Sequence, residues 1–325
     1  MKEKILKCLR EAEDYVSGQE LCQMFDVSRT AIWKVMNQLK EEGYVIDAVK
    51  NKGYRLVQTP DLVTAEEVES LLETSWAARP VVYEEEQAST NQTAKMLAEQ
   101  GASHGTLVVA ERQVSGRGRR GRPWHSPKGS GIWMSILLRP QIHPMSASML
   151  TLVAAMAVYD AISSRVEGCA IKWPNDIVID GRKVCGILTE MSSELDNIHY
   201  VVIGIGINVN TDDFPEDIAS VAASMHVITG AYYKRAEIIA DTWKAFEKYY
   251  DLFVQTENLA LMVDAYNQRL VNMDRRVMIE ERGHRYEGTA RGIDSEGALL
   301  VERDDGTTTS VISGEVSVRG VLGYV

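Results

Sequence analysis

The stretch from Glu111 to Trp124, which reads ERQVSGRGRRGRPW, contains the residue types that most clearly suggest chemistry. It holds five arginines and three glycines in fourteen residues, with a single acidic residue. Glycines let the backbone bend around a ligand, and unpaired arginines repel one another unless an anion lies among them. Because apolar strand patterns flank the stretch, we predict a loop that orders around a phosphate or carboxylate, not a disordered basic segment.

Known nucleotide-binding patterns do not account for this loop. The sequence contains no GxxxxGK[ST] motif, which excludes a Walker A loop. Gly116–Gly121 matches GxGxxG, but no helix pattern follows it, so the match does not indicate a Rossmann dinucleotide site.

A second candidate segment comprises KWPND at 172–176 and GRKVCGIL at 181–188. The pattern predicts two strands joined by a hairpin turn at Asp180–Gly181. Residues of buried type flank Lys183, which would direct its ammonium group into a pocket to hold a carboxylate or phosphate. A surface hairpin lysine fits the same pattern, so the segment alone leaves both interpretations open.

Two shorter segments add uncharged polar groups. GIGINVN at 204–210 places Asn208 just after a strand, where glycines allow a ligand to approach closely. Ser89-Thr90-Asn91 precedes a predicted helix, and simple helix capping is the alternative explanation for it.

The first 60 residues predict a winged helix–turn–helix. Ser17-Gly18-Gln19-Glu20 is a capping box for the second helix, and Ser28 caps a third helix that runs to about Glu42. That helix carries no acid from Arg29 to Lys40, and a basic hairpin follows it. A polar, acid-free helix face beside a basic wing is typical of DNA binding, although most such faces are simply solvated. The candidate DNA contacts are Ser28, Arg29, Thr30, Trp33, Lys34, Asn37, Lys50 and Lys52.

Composition limits the remaining possibilities. The 325 residues are 45% hydrophobic and 25% charged, which is typical of a globular protein with two or three domains. The net charge is −11, but residues 1–60 hold ten Lys and Arg against nine Asp and Glu, so the acidic excess lies outside this segment. The four cysteines form no close pair, and no zinc-ligand spacing, signal peptide or apolar run of about 18 residues occurs. We therefore expect a cytoplasmic protein without a membrane partner.

The pattern of elements predicts an α+β multidomain chain. The predicted units are residues 1–60, a linker helix and connector at 61–80, a mixed α+β domain at 81–268, and a small β-barrel of short strands at 269–325.

The five segments STN, GRGRRGR, KWPND, GRKVCGIL and GIGINVN, in that order, resemble the motifs of biotin–protein ligases. The helix–turn–helix ahead of them resembles the bifunctional subclass that also represses the biotin operon (the BirA type). The resemblance covers essentially the whole chain. It implies a winged helix, a central domain like that of biotin and lipoate ligases, and a C-terminal SH3-like barrel.

The resemblance also implies a two-step reaction and its partners. Biotin and ATP, with Mg²⁺, would form biotinyl-5′-AMP, and the biotinyl group would pass to a lysine of a biotin carboxyl carrier protein of the acetyl-CoA or pyruvate carboxylase type. With the adenylate bound, a homodimer would bind operator DNA upstream of biotin genes. We expect the dimer to form by edge pairing of the strands at 177–179 and 184–188.

Individual roles follow from the same resemblance. The resemblance implies catalytic roles for Lys183, Arg119 and Asp176. The implied biotin contacts are Ser89, Thr90, Asn91, Gln113, Gly116, Arg117, Gly118, Arg119, Lys183 and Gly186. The implied ATP and adenylate contacts are Arg117, Arg119, Arg120, Lys172, Asn175, Lys183 and Asn208. Mg²⁺ would be held through phosphates, with Asn208 or Asp176 as candidate ligands.

The sequence departs from the family pattern at two places. Cys185 occupies the position where a second glycine before Gly186 is expected. The resemblance implies that residues 211–224 (TDDFPEDIASVAAS) help wrap the adenylate, but no tryptophan follows Asn210 before Trp243 to stack on adenine. The candidates for an apolar lid are Met225, Val227 and Ile228.

The alternative functions are a monofunctional biotin or lipoate ligase with a non-regulatory N-terminal domain, and a DNA-binding regulator that only senses its ligand.

Overall fold

The computed structural model describes residues 1–195, 197–281, 284–312, 316–320 and 323–325. The N-terminal unit contains α1 (Lys2–Glu11), α2 (Gly18–Phe25), α3 (Arg29–Glu41) and the wing strands β1 (Val45–Val49) and β2 (Gly53–Gln58). The Ser17 and Ser28 hydroxyls accept hydrogen bonds from the backbone N–H groups of Glu20 and Ala31, so both predicted caps are confirmed. The three helices bury one apolar cluster, and the unit is a winged helix–turn–helix.

The linker helix α4 (Ala65–Leu71) joins this unit to the central domain. Its buried Glu67 accepts hydrogen bonds from Arg10 Nη2 and from the Tyr44 hydroxyl, both at 2.5 Å. Because both donors belong to the winged helix, these bonds attach the DNA-binding unit to the linker.

A mixed sheet forms the central domain. Within the described ranges its seven strands are ordered β3-β4-β5-β9-β8-β7-β6. Only β3 and β4 are parallel, whereas the other neighbours are antiparallel. The strands are β3 (Val81–Gln87), β4 (Leu107–Gln113), β5 (Gly131–Leu138), β6 (Cys169–Lys172), β7 (Asp176–Ile179), β8 (Arg182–Glu194) and β9 (Asn197–Asn208). The helices are α5 (Thr90–Glu99), α6 (Leu150–Ser163), α7 (Met225–Thr229), α8 (Arg235–Thr256) and α9 (Val263–Arg269).

The predicted β7–β8 hairpin is confirmed, and its turn residues Asp180 and Gly181 have φ values of 49° and 77°. The prediction that these strands form a dimer by edge pairing is wrong. β7 pairs with β6 and β8, and β8 pairs with β7 as far as Gly186 and with β9 on its other side, so the described segments 177–179 and 184–186 have no free edge.

Among the described residues, one helical stretch, Pro144–Ser163, is long and apolar enough to cross a membrane by length and composition alone. Its most apolar window is 72% buried inside the protein. We therefore assign this stretch to the core, where α6 packs against α8.

The C-terminal unit, predicted as a small β-barrel of short strands, is a small antiparallel sheet. In its described part five strands follow the order β13-β12-β11-β10-β14. They are β10 (Arg276–Glu281), β11 (His284–Ile293), β12 (Leu299–Glu302), β13 (Thr308–Val311) and β14 (Val316–Gly320).

The first residue of α8, Arg235, joins the linker to the central sheet. Its side chain is only 2% exposed, and its guanidinium group lies 2.9 Å from Asp61 Oδ2 and 2.9 Å from Glu111 Oε2. Asp61 lies in the linker, and Glu111 lies on β4 shortly before residues 114–124, which we call the arginine loop. This buried ion network therefore holds the linker against the strand that leads into the loop.

Replacing Arg235 with methionine should lower the free energy of unfolding by about 3–5 kcal/mol, because a buried Glu111 carboxylate loses its cationic partner. Urea unfolding followed by tryptophan fluorescence measures this change. Arg276→Met is the control, because Arg276 makes comparable ion pairs with Glu287 and Asp304 on an exposed surface. Equal, small shifts of the urea midpoint in both variants would contradict the stabilising role of the Arg235 network.

Candidate active site and DNA-binding surface

A cavity of about 560 Å³ lies over the first half of β8 and the end of β9, beneath the arginine loop. It gathers residues from all five sequence segments. The predicted site residues that line it are Ser89, Thr90, Asn91, Gln113, Arg117, Gly118, Arg119, Arg120, Lys172, Asn175, Asp176, Lys183, Gly186 and Asn208. Gly116 is absent from this lining and instead lines an adjacent groove of about 1030 Å³.

One wall of the cavity carries uncharged hydrogen-bonding groups. Gln113 Oε1 accepts from the Thr90 backbone N–H at 2.8 Å, and Thr90 Oγ1 lies 2.7 Å from the hydroxyl of buried Ser135. Asn91 Nδ2 donates to Glu190 Oε2 at 2.7 Å. Ser89 is the N-cap residue of α5, yet its side chain makes no capping bond, so capping does not explain this serine. Hydroxyl and amide groups of this kind suit a neutral polar ligand head.

The arginine loop closes over the cavity as a tight hairpin. Gly118 N–H donates to Arg122 O, and Trp124 N–H donates to Gly116 O, both at 2.8 Å. The turn at Arg119–Gly121 places Arg120 at φ 58° and Gly121 at φ 70°. Arg119 Nη1 donates to Asn175 Oδ1 at 2.9 Å, which fastens the loop tip to the KWPND segment. Burial lowers the pKa of the Arg119 guanidinium below its ordinary value, although the group stays charged.

Beside the loop tip, buried charges form a cluster around Asp176. Lys183 Nζ lies 2.5 Å from Asp176 Oδ1, and the Tyr324 hydroxyl donates to Asp176 Oδ2. Burial opposes ionisation of Asp176, but the ammonium groups of Lys183 and Lys172 overcome it and lower the carboxyl pKa. Burial also lowers the pKa of Lys172 to about 8. The cluster can therefore present positive charge to an anionic ligand.

Sequence reasoning missed Trp124 as a site residue. The Trp124 ring packs against two strand positions without side chains, since a Cβ on Gly186 or Gly206 would come within 2.8 Å or 2.4 Å of it. Lys183 Nζ lies 5.2 Å from the centroid of this ring. The position of Trp124 at the end of the arginine loop was the available signal.

Residues 211–224, which the resemblance implies should wrap the adenylate, do contribute to the cavity. Their Phe214, Ile218 and Val221 line it, whereas the predicted lid residues Met225, Val227 and Ile228 are not part of the lining. The C-terminal sheet and the residues after it contribute Val318, Arg319 and Tyr324.

The outer surface of α3 carries the predicted DNA contacts. Ser28, Arg29, Thr30 and Lys34 are exposed, and Asn37 is half-buried. The Trp33 side chain is 58% exposed, so it faces outward and does not close the small core. Lys50 and Lys52 are exposed at the wing turn. The arrangement presents a helix and a wing on one unit, as groove-binding domains do.

Comparison with known proteins agrees with this arrangement. Residues 2–55 match a helix–turn–helix domain, residues 83–208 match the biotin/lipoate A/B protein ligase family, and residues 273–319 match the biotin protein ligase C-terminal domain. The bifunctional ligase/repressor BirA of Bacillus spizizenii is 42% identical over 299 residues, which cover 90% of this chain and 91% of that protein. The Escherichia coli protein of the same name is 29% identical and covers 97% and 96% of the two chains.

Among solved structures, the biotin protein ligase of Aquifex aeolicus in complex with biotin and ATP is 30% identical and has a TM-score of 0.65. The match covers 74% of this chain and 98% of that one. By its sequence, its three matched domains and its fold, the chain belongs to the family of bifunctional BirA ligase/repressors.

Proposed function

We propose that this chain activates biotin with ATP as biotinyl-5′-AMP, transfers the biotinyl group to a lysine of a biotin carboxyl carrier protein, and represses biotin synthesis genes. The observation that carries the proposal is the single cavity in which five separate motifs meet, with neutral polar groups on one side and cationic groups on the other. Biotin-dependent exchange of pyrophosphate into ATP, followed by labelling of purified carrier domains from acetyl-CoA and pyruvate carboxylases, tests the ligase activity. Exchange with lipoate in place of biotin would refute the assignment of biotin as substrate.

The neutral side of the cavity is suited to the ureido ring of biotin. The polar groups of Ser89, Thr90 and Gln113 lie where they can donate to and accept from a ring that carries no charge. Asn91 is held between Glu190 and Ser135, so it supports this side of the cavity. Gly118 also lines the cavity and adds no side chain to it, whereas the Trp124 ring covers the position of Gly186.

The cationic side is suited to the reacting groups. In the first step a biotin carboxylate oxygen bonds to the α-phosphorus of ATP while the bond to pyrophosphate breaks. Two anions must approach each other, so positive charge from Arg117, Arg119 and Lys183 would lower the barrier. The lining residues Arg120, Lys172 and Asn175 would bind the nucleotide. In the second step the carrier lysine attacks the acyl carbon, AMP leaves, and the amine loses a proton.

We propose that Mg²⁺ enters with ATP and neutralises part of the triphosphate charge. The described residues contain no group of three His, Cys, Asp or Glu side chains that could hold a metal ion, which fits a cation delivered by phosphates. Asn208 lines the cavity, and its Nδ2 donates to Ala223 O at 3.1 Å, which leaves Oδ1 as a candidate ligand. Asp176 is the weaker candidate because Lys183 and Tyr324 already engage its two oxygens.

The arginine loop should become more protected when biotinyl-5′-AMP binds, because an anion among its arginines removes their mutual repulsion. Hydrogen exchange of Gly116–Gly121 with and without the adenylate measures this change. A peptide from the C-terminal sheet, such as 299–311, serves as the unperturbed reference. Identical exchange of the loop in both states would contradict the proposed ordering.

Repression would require a dimer with the adenylate as corepressor. One winged helix contacts one half-site, so specific binding to operator DNA needs two copies on a two-fold-symmetric site. The adenylate can promote dimerisation only if it binds the dimer more tightly than the monomer. The described segments 177–179 and 184–186 are paired on both sides in the sheet, so they offer no edge for this interface.

We expect analytical ultracentrifugation to show stronger self-association with biotinyl-5′-AMP than without it. Binding to the DNA upstream of the biotin genes should increase in parallel, and Arg29→Ala or Lys34→Ala should abolish only the DNA binding. An unchanged monomer–dimer constant, with full operator binding in the absence of ligand, would refute the switch. The four cysteines are all free, which supports a reducing, cytoplasmic location for these activities.

A further inference from the structure

The C-terminal sheet and the residues after it form one wall of the ligase cavity, and Tyr324 reaches its buried charge cluster. The Tyr324 hydroxyl donates to Asp176 Oδ2, while Lys183 Nζ lies 2.5 Å from Oδ1. The two oxygens of one buried carboxylate are therefore held by residues from two different domains.

Tyr324 is itself held in place from the central domain. Lys172 Nζ lies 4.2 Å from the centroid of the Tyr324 ring and donates to Val318 O at 2.9 Å. Lys172 is only 5% exposed, so this cation–π contact is largely shielded from water. Burial and the neighbouring Asp176 carboxylate raise the pKa of the Tyr324 phenol, which keeps it protonated as a hydrogen-bond donor.

The contacts of Asp176 bear on how Lys183 becomes available to the substrates. Under the proposed function Lys183 must contact the reacting anions, yet in this structure it is ion-paired with Asp176. A buried carboxylate that loses a close partner is strongly destabilised unless another donor satisfies it. Tyr324 keeps its hydrogen bond to the opposite oxygen, and the Lys172 ammonium group also stabilises the carboxylate, so Asp176 retains one donor and one nearby cation when Lys183 turns toward the substrate.

We infer that Tyr324 is a positioning residue for adenylate formation, which acts by holding Asp176 so that Lys183 is available to the substrates. This inference rests on the proposed function of the cavity. It gives Tyr324, which follows the C-terminal sheet, a part in the first step of the reaction through its hydrogen bond to Asp176.

The test is Tyr324→Phe in the full chain, which keeps the ring under Lys172 and removes only the hydroxyl. We expect kcat for biotin-dependent pyrophosphate exchange to fall about tenfold, as for loss of a hydrogen bond to a charged group, with much smaller changes in the KM values. In an Asp176→Asn background the same substitution should have no further effect, because the carboxylate through which Tyr324 acts is gone.

Tyr249→Phe is the matched control. It removes a tyrosine hydroxyl that donates to Asp160 Oδ2 at 2.6 Å, and this hydrogen bond lies outside the cavity. We expect the kcat of this variant to equal that of the wild type. Wild-type kcat in Tyr324→Phe would overturn the inference, as would an equal loss in the Asp176→Asn background, since that indicates a merely structural role. Full activity of Asp176→Asn alone would also overturn it. Failure of the unmodified chain to catalyse biotin-dependent exchange would instead refute the proposed function.

Discussion

Replacement of Lys183 with alanine should slow formation of biotinyl-5′-AMP by roughly 10²–10³-fold, the usual effect of removing one preorganised donor from a developing charge. Lys183 lies inside the cavity between Asp176 and the Trp124 ring, at 2.5 Å from the carboxylate and 5.2 Å from the ring centroid. It is the lysine best placed to neutralise the biotin carboxylate and the α-phosphate as they approach. Single-turnover formation of the adenylate measures the effect directly.

Two comparisons separate this role from a structural one. Lys244→Ala removes a lysine that pairs with Glu73 on an exposed surface, and its rate should match the wild type. When biotinyl-5′-AMP is supplied, transfer to the carrier protein by Lys183→Ala should be affected much less than adenylate formation. A rate of adenylate formation within a few-fold of wild type would show that Lys183 does not act on the first step.

Arg119→Gly should weaken retention of biotinyl-5′-AMP by roughly 10–100-fold, the range for loss of a charge-assisted hydrogen bond. Arg119 has two functions in the loop. Its guanidinium adds positive charge to the cavity lining, and its bond to Asn175 fastens the loop tip over the cavity. Without it the loop opens more readily, and the reactive anhydride escapes into solution. Bystander lysines would then be biotinylated.

Retention is measured as the dissociation rate of labelled adenylate, and stray labelling is measured on an unrelated protein added to the reaction. Arg112→Ala is the control, because Arg112 precedes the loop and pairs with Glu86 on an exposed surface. That variant should hold the adenylate as the wild type does. Wild-type retention by Arg119→Gly, with no labelling of the bystander, would show that the loop does not depend on this arginine.

The features that the sequence predicted correctly depend on chemistry within a few neighbouring residues. The caps at Ser17 and Ser28, the turn at Asp180–Gly181 and the helix and strand patterns are local properties, so they identified the winged helix and the strands around the site. The motif residues also converge as expected, because each lies at or near a strand end that the central sheet brings together. The resemblance to a known family added the identity of the substrates, which no local pattern encodes.

Other features depend on contacts between residues far apart in the chain, and only the tertiary structure decided them. The sheet order β9-β8-β7-β6 removes the free edges that the β7–β8 hairpin would have alone, so the predicted dimer contact disappears. The hydroxyl of Tyr324 meets Asp176 across 148 positions, and Arg235 meets Asp61 across 174. A hydrophobic or polar pattern specifies which face of an element is buried, but it does not specify which distant side chain fills the remaining space. For that reason the motifs could be predicted to meet, whereas no sequence signal placed Val318, Arg319 and Tyr324 in the cavity.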